Sequence, residues 1–151
     1  MRTIIQRVLS SEVIVEGESV GKINKGFLIL LGITHNDTIK EVKWLAKKIK
    51  ELRIFEDENA KMNLSLEDVG GEVLIISQFT LYGNTVKGRR PAFIEAAKPE
   101  LANELYEKFI EEFKTFNIKT ECGKFGADMK VELINDGPVT LIIDTADANI
   151  K

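Results

Sequence analysis

Val73-Leu74-Ile75-Ile76-Ser77-Gln78-Phe79-Thr80-Leu81 is the stretch on which the fold turns. Its first residues form a short apolar run, rich in β-branched side chains and preceded by Gly70-Gly71. That pattern predicts a buried, central strand over Val73–Phe79. At its end the residue type changes: the hydroxyls of Ser77 and Thr80 and the amide of Gln78 arrive where the apolar run should simply stop. Residues that act on other molecules concentrate where a rigid element hands over to a loop. A second such place is Asn135-Asp136-Gly137-Pro138-Val139-Thr140.

Upstream of the central strand, Arg2–Leu9 and Val13–Val15 read as two strands. Glu16-Gly17-Glu18-Ser19 turns the chain into a third, Val20–Ile23. Gly26–Gly32 is apolar enough to be buried on both faces. Thr38 and Glu41 have capping-box spacing and open a helix whose apolar face is Ile39, Val42, Ala46, Ile49 and Leu52. Arg53-Ile54-Phe55 suggests a short strand, and Glu56–Val69 an irregular loop. Downstream, Tyr82–Ala97 is loop-like. Pro99 suits the first turn of a second helix, with Leu101, Leu105, Phe109, Phe113 and Phe116 as its stripe. Ile118–Cys122, Met129–Asn135 and Val139–Thr145 read as strands, with Gly137-Pro138 at the entrance of the last. Strands, helix, strand, helix, strands predicts an α+β (mixed α/β) fold, with two helices packed on one face of a sheet.

At 151 residues the chain is expected to form one domain over residues 1–151. A domain of this size buries roughly 68–70% of its unfolded surface, enough for a core without staples. The single cysteine, Cys122, permits no intramolecular disulfide and suits a reducing compartment. No apolar run approaches the ~20 residues of a membrane span, and Arg7 and Glu12 interrupt any signal-peptide pattern. A soluble cytoplasmic protein is expected. The net charge of −3 argues against a protein that tracks a long nucleic-acid backbone. Local contact remains open at Lys87, Arg89 and Arg90, whose alternative reading is a solvated loop.

Elimination narrows the chemistry. The only histidine, His35, lies in an evident turn with no nucleophile near it in sequence, so Ser-His-Asp and Cys-His mechanisms lack a partner. One cysteine and one histidine do not make a thiolate–imidazole zinc site, and neither common phosphate-binding glycine pattern is present. No cofactor and no metal are expected. What remains is hydroxyls, backbone amides, carboxylates and the substrate itself. Ser77 and Thr80 either satisfy their own backbone at a strand end or serve a site in which the N–H groups of Phe79 and Thr80 form an oxyanion hole. Gly137-Pro138 is either an ordinary turn or something more specific; an X-Pro bond costs only about 0.5–1 kcal/mol in cis.

Taken together, Ser77-Gln78-Phe79-Thr80-Leu81 and Asn135-Asp136-Gly137-Pro138-Val139-Thr140 resemble the two signature motifs of the D-aminoacyl-tRNA deacylases. Ile5-Gln6-Arg7-Val8, Lys61-Met62-Asn63, Gly88-Arg89-Arg90-Pro91 and Gly123-Lys124-Phe125-Gly126-Ala127-Asp128-Met129 agree in order and spacing. The resemblance runs from Met1 to about Asp144. It implies a homodimer of layered sheets and helices that hydrolyses the ester between a D-amino acid and the 3′-terminal adenosine of tRNA. It places Ser77, Gln78, Phe79 and Thr80 at the catalytic strand end, and Phe125 and Met129 on the substrate. It further implies a cis Gly137-Pro138, anchored by Arg7 and reaching into the partner subunit's pocket. There it would stand where an L-residue carries its side chain, so that L-substrates are excluded by a clash. Glycine has nothing to clash and should be accepted. A non-catalytic dimeric module that grips a nucleic-acid terminus is the alternative, and a small-ester hydrolase of the same fold a third reading.

Overall fold

A computed structural model describes residues 1–150. Strand β1 (Arg2–Val15) is one strand of 14 residues, where the polar run Ser10–Glu12 suggests a break. The alternation survives because Ser11 is buried with its hydroxyl donating to the Glu132 carbonyl at 2.8 Å. Glu16 and Gly17, both with positive φ, make a tight turn into β2 (Glu18–Ile23), as hairpin twist favours. In β3 (Gly26–Gly32), Phe27, Ile29 and Leu31 enter one core and Leu28 another, so no position is free for a polar residue.

The capping box forms at the start of α1 (Ile39–Lys50): Thr38 Oγ1 accepts from the Lys40 N–H and the Thr38 N–H donates to Glu41 Oε2 at 2.7 Å. Val42, Leu45, Ala46 and Ile49 are buried, whereas Ile39, expected on that face, is exposed.

The short strand expected over Arg53–Phe55 is shifted to β4 (Phe55–Glu56), and the stretch expected to be an irregular loop supplies its hairpin partner, β5 (Met62–Leu64). The hairpin turn is organised by Asp57, which accepts from the N–H groups of Asn59 and Lys61 at 2.8 and 3.0 Å and from Asn63 Nδ2 at 2.7 Å. The Asn63 amide, followed by the backbone donors of Lys61 and Asn59, holds the Asp57 carboxyl below the usual range. Its contribution is therefore complete above the ordinary Asp pKa of about 3.9 and lost as pH falls through the lowered folded value. Hydrogen-exchange protection at Asn59 and Lys61 is expected to fall below about pH 4, and Asp57→Ala to abolish that protection at neutral pH. Protection independent of both pH and Asp57 would show that the strands alone hold the hairpin.

Strand β6 (Glu72–Ser77) ends two residues earlier than expected and is followed by a 3₁₀ turn, Phe79–Tyr82. Helix α2 (Pro99–Thr115) has its proline in the first turn and buries Leu105, Phe109 and Phe113 of the expected stripe; Leu101 and Phe116 are partly buried. Strand β7 is Thr120–Cys122, and β8 (Lys130–Asp144) runs through the position where two strands and a turn were expected.

The sheet order is β2-β1-β3-β6-β7, with β8 along the other side of β1. Thus β3, rather than β6, is the middle strand. β1 is antiparallel to β2, β3 and β8, while β3–β6 and β6–β7 are parallel, connected through α1 and α2. Both helices cover one face, over Ile5, Phe27, Ile29, Val73 and Ile75. The sheet curls so that β2 returns toward β6 and β7: a Cβ at Gly21 would lie 2.9 Å from the Cys122 carbonyl oxygen. That curl encloses a second core of Val8, Val13, Ile23, Leu28, Leu74 and Ile76. The architecture is α+β, with a mixed, nearly barrel-like sheet.

Candidate active site

The carboxyl ends of the parallel strands β3 and β6 lie together, the side of such a sheet on which ligands usually bind. At Ser77 the strand stops because the chain tightens. The Gln78 N–H donates to the Leu31 carbonyl at 2.8 Å, and Leu81 and Gly83 donate back to Gln78 and Thr80 at 3.2 and 2.9 Å. The first amides of such a turn have no acceptor within it. Accordingly, the N–H groups of Phe79 and Thr80 meet no backbone or side-chain acceptor among the described residues.

Beside this turn is a largely apolar cavity of about 610 Å³, within the range of small-ligand sites. Ser77, Gln78 and Phe79 line it from the strand end, and Phe125, Gly126, Ala127 and Met129 from the segment between β7 and β8. Leu31, Ile33 and Ile76 form part of its wall, and Phe93, Ala96 and Ala97 line it from the loop before α2. Phe79 is 54% exposed, a large aromatic surface available to a ligand, and it meets Phe93 edge-on at 5.1 Å. Gly123 lets Met129 close in: a Cβ there would lie 2.6 Å from its sulfur. The Tyr106 ring packs on Phe125 at 5.9 Å and its hydroxyl donates to the Ile75 carbonyl at 2.8 Å. Burial pushes that phenol well above its ordinary value, so it stays protonated.

Thr80 lies next to the cavity without lining it. It is exposed, and its hydroxyl accepts from Gln78 Nε2. His35 is engaged elsewhere, with Nε2 2.7 Å from the Ile94 carbonyl. A carbonyl only accepts, so Nε2 carries the hydrogen, and the imidazole pins the loop bearing Phe93.

None of Gly137, Pro138 and Arg7 lines this cavity. Gln6 lies opposite Thr140 and Val8 opposite Asn135, so residues 136–139 bulge out of β8 across from Arg7. Asn135 closes the bulge: its Oδ1 accepts from the Val139 N–H at 2.8 Å and its Nδ2 donates to Thr140 Oγ1 at 2.9 Å. Buried Arg7 grips it, with Nε donating to the Asp136 carbonyl at 3.2 Å and Nη1 to the Ile54 carbonyl at 2.7 Å. Asp136 and Glu56 carboxylates lie 3.2 and 3.8 Å from the guanidinium. The Gly137-Pro138 peptide is cis, and Gly137 has φ +124°.

Sequence reasoning missed Phe93, Ala96 and Ala97, which sit in an aperiodic loop that carries no packing signal. It also missed the closing role of Asn135, although an Asn at the start of a turn is a usable signal.

The family described as D-Tyr-tRNA(Tyr) deacylase matches residues 4–144. The chain is 72% identical to a D-aminoacyl-tRNA deacylase of Fusobacterium nucleatum over the whole of both chains. It is 62% identical to that of Desulfatibacillum aliphaticivorans, covering 96% of this chain and 99% of the relative. Among solved structures, the c-Myc DNA Unwinding Element Binding Protein superposes with TM-score 0.89 at 40% identity, over 95% of this chain and 98% of that one. A probable eukaryotic D-amino acid tRNA deacylase shares the fold, with TM-score 0.80 at 18% identity over 94% and 97% of the two chains. On sequence along nearly all its length, and on fold, the chain belongs to the D-Tyr-tRNA(Tyr) deacylase family.

Proposed function

We propose that this chain hydrolyses the ester joining a D-amino acid, or glycine, to the 3′-terminal adenosine of tRNA, and spares L-aminoacyl-tRNA. The observation that carries the reading is the apolar cavity bordered by the unpaired amides of Phe79 and Thr80, in a chain whose close relatives are D-aminoacyl-tRNA deacylases. The amides would hold the ester carbonyl as negative charge builds on its oxygen, and Ser77 and Gln78 would orient the substrate between Phe79, Phe125 and Met129. Removing one such donor costs ~2.7–4 kcal/mol of transition-state stabilisation in comparable sites.

Gly137-Pro138 would act in the pocket of a second copy. Two observations support this: no residue of the bulge lines its own chain's cavity, and β8 pairs with β1 alone among the described residues. Its free edge and the exposed Leu9, Ile134 and Ile142 of the β1–β8 pair suit association.

Incubation with D- and L-aminoacyl-tRNA and with small amino-acid esters separates the readings. Selective release from the D-form supports the deacylase. Binding without release supports a module that only grips the terminus, and cleavage of small esters alone supports a general esterase.

The exposed cations Lys87, Arg89 and Arg90 form no ion pair among the described residues and follow directly on the catalytic corner. They suit an acceptor stem passing the cavity mouth. Replacing all three by Ala is expected to weaken tRNA binding and flatten the log Kd–log salt slope by up to about 3, close to one for each phosphate that is no longer neutralised. An unchanged slope would return the cluster to solvent.

A further inference from the structure

The 3₁₀ turn Phe79–Tyr82 is gripped from outside the cavity. Arg2 Nη1 donates to the Leu81 carbonyl at 3.0 Å, and Arg2 Nε donates to Asp144 Oδ2 at 2.8 Å. The same guanidinium lies 4.8 Å from the centre of the Tyr82 ring, which is buried. Asp144 is itself fixed, because its Oδ1 accepts from the Ala146 N–H at 3.0 Å. Beneath the turn, Gly32 packs close: a Cβ there would meet Leu81 Cβ at 3.1 Å, the Gln78 carbonyl oxygen at 3.2 Å and Tyr82 Cδ2 at 3.2 Å, so the turn would have to give by a few tenths of an ångström. Neither Arg2, Gly32, Tyr82 nor Asp144 lines the cavity.

A charge-assisted pair on the last turn of so short an element controls its orientation, because its own hydrogen bonds are few and poorly aligned. We propose that Arg2 is a positioning residue for the reaction. By tying the Leu81 carbonyl and the Tyr82 ring to Asp144, it fixes the direction of the Phe79 and Thr80 amides. Donors of this kind work only when held within about 0.5 Å of their productive geometry. The catalytic consequence rests on the deacylase reading; the positioning itself does not.

The test compares Arg2→Ala, Arg2→Lys, Asp144→Ala and the Arg2→Ala/Asp144→Ala pair, with Lys108→Ala as a control for loss of an exposed ion pair on α2. Steady-state hydrolysis of one D-aminoacyl-tRNA and the backbone amide NMR spectrum are measured for each. Arg2→Ala is expected to lower kcat about tenfold, a fraction of what deleting an oxyanion donor costs, with KM within about twofold. Arg2→Lys, which keeps the charge without the planar fork, should fall between Arg2→Ala and wild type. The double variant should be no slower than Arg2→Ala, since Asp144 acts through the same group. Amide shifts should concentrate at residues 78–82. Unchanged kcat with unchanged shifts at 78–82, or additive losses in the double variant, would overturn the proposal. Should wild-type protein leave D-aminoacyl-tRNA intact, the deacylase reading falls, and the amide shifts alone decide whether Arg2 sets the turn.

Discussion

A tRNA ending in 2′-deoxyadenosine is expected to be hydrolysed about 10²-fold or more slowly than the ribose form, the usual worth of a positioned acid–base group, whereas Thr80→Ala retains appreciable activity. The surroundings of Thr80 give the reason. A neutral hydroxyl becomes a useful nucleophile only when a base takes its proton. The hydroxyl of Thr80 instead accepts from the Gln78 amide, which has no basic nitrogen, and the only imidazole of the chain is bound to the Ile94 carbonyl. Among the described residues no carboxylate or imidazole lines the cavity, so the neighbouring ribose hydroxyl of the substrate would be the group that activates water. Thr80 would orient substrate or water from beside the cavity. Single-turnover kinetics on the two tRNAs measures the first effect. A trapped aminoacyl ester on Thr80 would establish the nucleophile and refute this mechanism.

Pro138→Ala is expected to reduce the ratio of kcat/KM for D- over L-substrate by about 10–200-fold, the range that a single hydrophobic contact supplies. The pyrrolidine ring is a rigid surface, and if it forms the proposed wall, a methyl group in its place would leave part of that wall open. Gly137→Ala probes the same wall from behind. The new Cβ would lie 2.8 Å from Val139 Cγ2 and 3.2 Å from Arg7 Nη2, at a backbone φ of +124° that side-chain-bearing residues rarely adopt. The bulge must shift, and the discrimination with it. Both variants are to be compared with wild type after their oligomeric state and folding are checked. Equal losses for the two enantiomers would make the Gly-Pro bulge a structural turn and send the search for the discriminator elsewhere in the cavity.

What could be read in advance followed physical regularity. The capping pair Thr38/Glu41, Pro99 in the first turn of α2, and the two-sided burial of Gly26–Gly32 are local rules that tertiary contacts did not overrule. Three of the misreadings share a cause: polar side chains doing the work of backbone. Ser11 carries β1 through a polar run by bonding to Glu132. Asp57 builds a hairpin whose strands are too short for an apolar pattern, and Asn135 lets β8 continue past a four-residue bulge. The corner at Ser77–Thr80 was legible as a change of residue type. Its 3₁₀ geometry was not, because Arg2 and Gly32, which set it, are distant in sequence.

If L-substrates are excluded by a wall rather than by a fitted side-chain pocket, three tRNAs that differ only in the presence or placement of one methyl group will show it. Initial rates would be measured on D-alanyl-, glycyl- and L-alanyl-tRNA charged on the same tRNA, with spontaneous hydrolysis subtracted. The wall predicts that the D-alanyl and glycyl esters are both cleaved while the L-alanyl ester is spared. Rejection of glycine together with L-alanine would show that the site requires a D side chain to grip, and cleavage of the L-ester would show that there is no wall at all.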